Sequence, residues 1–259
     1  MSLIESIILG AVQGITEFLP ISSSGHLVIF QRILGFKEAQ LLYDVFFHFG
    51  TLLAVTIVYW QDINKLISLN STYNKERILI ITATIPTALI GFFLKDSFEA
   101  LFASVLAVAV ALLITGLLLW LVENISTDLG MKVSSLSYLQ AILIGVAQAM
   151  AITPGISRSG ATIVAGIFLG LSRDSAARFS FLIFIPAVLG ATFLEATELF
   201  VMGIGEVNLV PLLVGTATSA LVGYLAINFL LKILKSNKLN YFAYYVWILG
   251  ALILVQNLV

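Results

Sequence analysis

Two short stretches of the chain hold residue types that do chemistry on phosphate. In the first, Gln13 and Glu17 stand four residues apart, so on a helix both side chains leave the same face. Pro20 ends that helix, and Ser22, Ser23, Ser24 and His26 follow within six residues. A carboxylate, hydroxyls and an imidazole are the parts of a nucleophile with its general base. The second stretch offers Ser157, Arg158, Ser159 and Thr162 around Gly155 and Gly160. Glycine lets the backbone approach a ligand, and a helix starting there aims free amides at an anion. A guanidinium such as that of Arg158 forks onto phosphate oxygens. Facing each other, the two stretches would form a phosphoryl-transfer site.

Plainer readings exist for the separate parts. Glu17 and Arg158 could be a structural pair, which leaves the hydroxyls and the histidine without a purpose. Serine and threonine in apolar helices commonly bond their own backbone or pack small surfaces. That suits Ser22, Ser24 and Thr162 better than Ser23, which lies three residues before His26. His48, between Phe47 and Phe49, reads as structural. There is no Gly-x-Ser-x-Gly elbow, no Walker loop and no His-Glu-x-x-His. Ser23-Ser24-Gly25-His26 echoes the type-2 phosphatidic acid phosphatases. Their second motif, however, needs a histidine where this chain has Ile163.

These groups must be positioned by membrane helices. Of 259 residues, 60% are apolar and 10% charged, against roughly 25% charged in soluble domains. The mean hydropathy is +1.08. Thirteen basic and 14 acidic residues cannot cover a soluble surface, so the chain reads as an all-α integral membrane protein, one domain over residues 1–259. A net charge of −1 gives nucleic acid no basic field, and without cysteine there is no thiolate chemistry. The start, Met1-Ser2-Leu3-Ile4-Glu5, lacks the positive region of a secretory signal. No obligate protein partner is evident.

Six full spans are expected, near Leu41–Trp60, Ile78–Leu94, Ser104–Val122, Ala176–Leu199, Leu209–Leu231 and Tyr241–Leu258. Leu3–Leu34 and Tyr138–Leu171 are apolar too, but each is broken at one of the two chemical stretches. A polar turn cannot face lipid, so each broken region is expected to be a re-entrant helical hairpin. The two regions match at an offset of 135: Gly10 with Gly145, Gln13 with Gln148, Ile21 with Ile156, Ser22 with Ser157, and Ser24-Gly25 with Ser159-Gly160. Thr82-Ala83-Thr84 echoes Thr216-Ala217-Thr218. Each half, about 1–122 and 138–259, is then one hairpin plus three spans. Three is odd, so the second half is inverted, and broken helices of such repeats meet near the midplane.

The charges agree with this layout. One side carries Lys65, Lys75, Arg77, Lys132, Arg173, Arg178, Lys232, Lys235 and Lys238, and the other Arg32, Lys37 and Lys95. The richer side is expected to be cytoplasmic, with both termini and the mouth of the first hairpin outside.

Gln13-Gly14-Ile15-Thr16-Glu17-Phe18-Leu19-Pro20-Ile21-Ser22-Ser23-Ser24-Gly25-His26 and Pro154-Gly155-Ile156-Ser157-Arg158-Ser159-Gly160-Ala161-Thr162 are long, specific motifs. Through them the whole chain strongly resembles the undecaprenyl-pyrophosphate phosphatases of the bacitracin-resistance type. The resemblance implies hydrolysis of a C55 isoprenoid diphosphate to its monophosphate and phosphate, recycling the cell-wall lipid carrier at the outer leaflet of the plasma membrane. It also implies a divalent metal, Mg2+ or Ca2+, with the family's acid pair falling on Gln13 and Glu17. Many members carry Glu where this chain has Gln13. Glu17 is then the implied metal ligand, and Gln13's part as a direct ligand stays open.

The expected mechanism places the diphosphate between the breaks with its tail in lipid. Arg158, the amides around Gly155 and Gly160, and the hydroxyls of Ser157, Ser159 and Thr162 would hold phosphate. Ser23 is the first choice of nucleophile, with His26 or Glu17 taking its proton. His26 as a phosphohistidine nucleophile and water activated by Glu17 are the competitors. A transporter of an anionic polyprenyl lipid shares the architecture but needs no nucleophile.

Overall fold

The computed structural model describes residues 1–36, 40–68, 70–102, 104–125, 129–202, 208–236 and 238–258. Lys37 lies outside them. Among the described residues the chain forms α1 (Leu3–Phe18), α2 (Ser23–Ile33), α3 (Leu41–Val58), α4 (Trp60–Ile67), α5 (Asn74–Phe93) and α6 (Lys95–Phe102). These are followed by α7 (Val105–Ile125), α8 (Tyr138–Met150), α9 (Arg158–Phe168), α10 (Arg173–Met202), α11 (Leu209–Lys235) and α12 (Asn240–Leu258). The architecture is all-α, and among the described residues one isolated bridge, Met131–Leu171, is the β pairing.

Helices α3, α5, α7, α10 and α11 are long and apolar enough to cross a bilayer. Each has at least 18 residues, or about 27 Å at ~1.5 Å per residue. Apolar α12 is shorter over the stretch whose side chains are described, Asn240–Gln256. The short helices α4 and α6 lie outside the expected spans, and α4 carries the charged residues Asp62 and Lys65.

The helices around the two breaks are shorter than the spans. Those of 11 to 16 residues reach only about 16–24 Å, less than the ~30 Å hydrocarbon core. Their starts and stops are written in local chemistry. Ser2 and Glu5 form a reciprocal capping box at the start of α1, and Ser137 and Gln140 form another at the start of α8. The two boxes stand 135 residues apart, the offset of the motifs. Ser22 and Ser157 cap α2 and α9, accepting from the amides of Gly25 and Gly160.

Packing crosses between the halves. α1 lies against α11, α8 against α5, and α7 against α12. The first two contacts are backbone to backbone: a Cβ on Gly10 would strike the Gly215 carbonyl, and one on Gly145 the Ala83 carbonyl. Phe18 is fully buried and meets Phe181 and Phe184 edge-on, at 5.6 and 5.9 Å between centroids. Such pairs add roughly 0.5–1.5 kcal/mol each beyond area burial. They seat the tip of α1 on α10.

The start of α10 is tied down by charge. Arg173 forks onto Glu123 at 2.7 and 3.1 Å, and Glu123 also accepts from the amide of Leu239. Arg178 reaches Asp62 and Glu76. These bonds gather the end of α7 with the starts of α4, α5, α10 and α12.

Candidate active site

Glu17 sits in the last turn of α1, 6% exposed, and both of its oxygens are engaged. Oε1 accepts from Arg158 Nη2 at 2.8 Å. Oε2 accepts from Ser23 Oγ at 2.6 Å and from Gln13 Nε2 at 2.8 Å. Three residues from the two motifs, Glu17, Ser23 and Arg158, thus form one contiguous group across 141 residues of chain. Removing either partner of the Glu17–Arg158 pair would leave a buried charge alone, which typically costs about 3–5 kcal/mol.

Local structure explains why these side chains converge. After Phe18 the chain turns extended at Leu19, and Ser22 takes φ +71° and ψ 100°. A non-glycine residue there costs roughly 1–3 kcal/mol and needs support from its surroundings. α2 then starts at Ser23, as α9 starts at Arg158. Two positive helix ends therefore meet the site with the serine and the guanidinium in their first turns.

Arg158 is held from a second direction, its guanidinium carbon lying 3.8 Å above the Phe184 ring. With Nη2 on Glu17 and the plane on Phe184, Nη1 is buried without a hydrogen-bond acceptor among the described residues. Gln13 Oε1 is likewise buried without a donor. Buried polar atoms are nearly always satisfied, so a donor and an acceptor left open beside one carboxylate mark a place for a ligand.

The anion cradle departs from expectation. Ser157, Ser159, Thr162, Gly155 and Gly160 brace the two breaks against each other. Gly155 donates its amide to Ser22 Oγ at 3.1 Å, and Ser159 Oγ donates to the Leu19 carbonyl at 3.3 Å. Gly160 donates to Ser157 Oγ, and Thr162 Oγ1 bonds the Arg158 carbonyl and Ser180 Oγ. Gly155 has φ +97°, and a Cβ there would run into the Val108 carbonyl, so glycine is required. With these groups engaged in bracing, Arg158 is the cation the two breaks leave facing Glu17.

His26 also departs. Its Nδ1 bonds the Ser22 carbonyl at 2.7 Å and its Nε2 the Tyr245 hydroxyl at 2.7 Å, so neither nitrogen bonds Ser23. The hydroxyl of Ser23 donates its hydrogen bond to Glu17 instead.

Sequence reading missed three participants. His48, set aside as structural, brings Nε2 to 3.7 Å from Glu17 Oε2 while Nδ1 donates to the Asp44 carbonyl. A histidine inside a spanning helix was itself a signal. Thr115 of α7 donates to the Gly155 carbonyl and accepts from the Ser157 amide, and nothing in that very apolar helix flagged it. Gln31 donates to both oxygens of Asp44 at 2.9 and 3.0 Å, fastening α2 to α3.

The family described as bacitracin resistance protein BacA matches residues 6–252 of the chain. An undecaprenyl-diphosphatase of Halothermothrix orenii is 46% identical over 255 residues, covering 98% of each chain. One of Alkaliphilus metalliredigens is 42% identical over 275 residues and covers all of both. One of Carboxydothermus hydrogenoformans is 46% identical, over 98% of this chain and 97% of its own.

Proposed function

The chain belongs to the bacitracin resistance protein BacA family and is a multi-pass membrane undecaprenyl-diphosphatase, and we propose that it works through a serine nucleophile set by Glu17. The observation that carries this is the 2.6 Å bond from Ser23 Oγ to Glu17 Oε2. Glu17 takes the serine proton as Oγ attacks the terminal phosphorus. The bond from that phosphorus to the bridging oxygen breaks, and undecaprenyl phosphate leaves. Water then attacks the phosphoserine, Glu17 returns its proton to Oγ, and inorganic phosphate is released. Arg158 Nη1 holds the transferring phosphate through both steps. An anionic-lipid carrier would have no use for the Ser23–Glu17 pair.

A divalent cation fits the residues present. Gln13 Oε1 is a buried oxygen without a donor, and Glu17 stands beside it. Among the described residues no cluster of three or more His, Cys, Asp or Glu forms a closed cage. Mg2+ suits such a place, since it is commonly bound by one or two carboxylates together with substrate phosphates. When bound, it would neutralise charge on the diphosphate. Chelation with EDTA is expected to abolish phosphate release from purified protein, and added Mg2+ or Ca2+ to restore it. Full activity in excess chelator would count against the metal.

The proposed layout has six spans, α12 being the sixth, and two re-entrant hairpins, α1–α2 and α8–α9, in an inverted repeat. The capping boxes 135 residues apart and the reciprocal packing of α1 on α11 and α8 on α5 support it. The end bearing Arg173, Arg178 and Lys235 is cytoplasmic, and Ser23 is reached from outside. The chain has no cysteine, so single introduced thiols report cleanly. Arg32 and Lys235 are exposed. In intact cells Arg32→Cys should react with an impermeant maleimide, and Lys235→Cys only after permeabilisation. The opposite pattern would reverse the orientation.

A further inference from the structure

Neither ring nitrogen of His26 bonds Ser23 or Glu17, yet the side chain is 3% exposed and hydrogen-bonded through both nitrogens. A carbonyl only accepts, so the Nδ1 that meets the Ser22 carbonyl carries the proton. Nε2 is then an acceptor, and the Tyr245 hydroxyl donates to it. The two rings lie nearly parallel, 13° apart with centroids at 5.6 Å. Both rings line a cavity of about 440 Å³ together with Val12, Ile15, Thr16, Phe30, Tyr241 and Phe242. Its wall is mostly apolar and carries no cationic side chain to hold a diphosphate. The carbonyl that His26 grips belongs to Ser22, the residue with positive φ that immediately precedes Ser23.

We propose that His26 and Tyr245 are positioning residues for the nucleophile. The Tyr245 hydroxyl fixes the His26 tautomer, and His26 Nδ1–H holds the Ser22 carbonyl, so that the unusual turn keeps Ser23 Oγ on Glu17. Tyr245 lies 219 residues from His26 in sequence, on α12. The hydroxyl thus makes the last helix part of the geometry of the first break. This assignment rests on Ser23 being the nucleophile.

The isosteric test uses asparagine, whose side-chain amide can place an N–H where Nδ1–H stood but offers nothing in place of Nε2. His26→Ala should lower kcat about 100-fold or more, whereas His26→Asn should stay within about 10-fold of wild type. Tyr245→Phe keeps the ring and loses the hydroxyl. It should cost about 5- to 10-fold in kcat with KM unchanged, and less than twofold when combined with His26→Asn. Trapped phosphoenzyme from the His26→Asn protein should still carry its label on Ser23. If the label sits on Ser23 but His26→Asn is as inactive as His26→Ala, the positioning assignment fails and the serine mechanism stands. A Tyr245→Phe cost that is equal in both backgrounds has the same meaning. If the label in wild type sits on His26, both fail.

Discussion

Ser23→Ala is expected to lower kcat for undecaprenyl diphosphate by about 10³-fold or more while changing KM little. The serine is the nucleophile, and removing a nucleophile from a group that acts as a unit removes most of the rate it supplies. The substitution deletes one donor to Glu17 Oε2 at a partly exposed site, and Gln13 Nε2 still bonds that oxygen. Folding should therefore be preserved, and Arg158 remains to bind phosphate. Steady-state phosphate release, with melting of the detergent-solubilised protein as a control, makes the comparison. A kcat within tenfold of wild type would mean that Ser23 does not form the covalent bond.

Arg158→Ala is expected to damage both catalysis and stability. Removing a cationic clamp on a transferring phosphoryl group costs about 10³–10⁵ in rate in enzymes that depend on one. Glu17 would also lose its partner inside a buried site, at about 3–5 kcal/mol. The expected outcome is a fall of at least 10³ in kcat/KM together with a lower melting temperature. Arg158→Lys separates the two effects. A lysine keeps the charge beside Glu17, but its single nitrogen cannot fork between Glu17 and phosphate or lie flat on Phe184. It should recover much of the stability and little of the rate. If Arg158→Lys restores kcat/KM to within tenfold of wild type, the fork is not what the reaction uses.

Much of this site could be read in the sequence because charge is so scarce in the chain. Glu17 and Arg158 stand out in apolar surroundings, and Pro20, Gly155 and the serines mark where helices have to break. What escaped was which hydroxyls are free. Ser157, Ser159 and Thr162 look like phosphate donors on paper, yet each is engaged by the other break, by its own helix turn or by α10. Those partners come from tertiary packing, which the local pattern does not contain. His48 and His26 exchanged their expected places for the same reason. The rotation of α3 against α1 turns His48 toward Glu17, and α12 takes His26 through Tyr245. Phe184 was invisible because it sits in an uninterrupted apolar run of α10, residues 181–189, and only its packing under Arg158 distinguishes it.

The order of the fold was more legible than its extent. The five long apolar helices lie where the hydropathy placed them, with ends that differ by up to four residues, α3 stopping two short of Trp60 and α11 running four past Leu231. The short helices α4 and α6 were not expected, since their mixed polarity looks like loop in a membrane chain.

The most direct measurement mixes wild-type protein with undecaprenyl diphosphate labelled in its terminal phosphate, quenches within one turnover, and maps the labelled peptide. Acid-stable label on Ser23, absent from the Ser23→Ala protein, is the predicted result. Acid-labile label on His26, or turnover with no label on the protein at any time, would contradict a serine nucleophile held by Glu17.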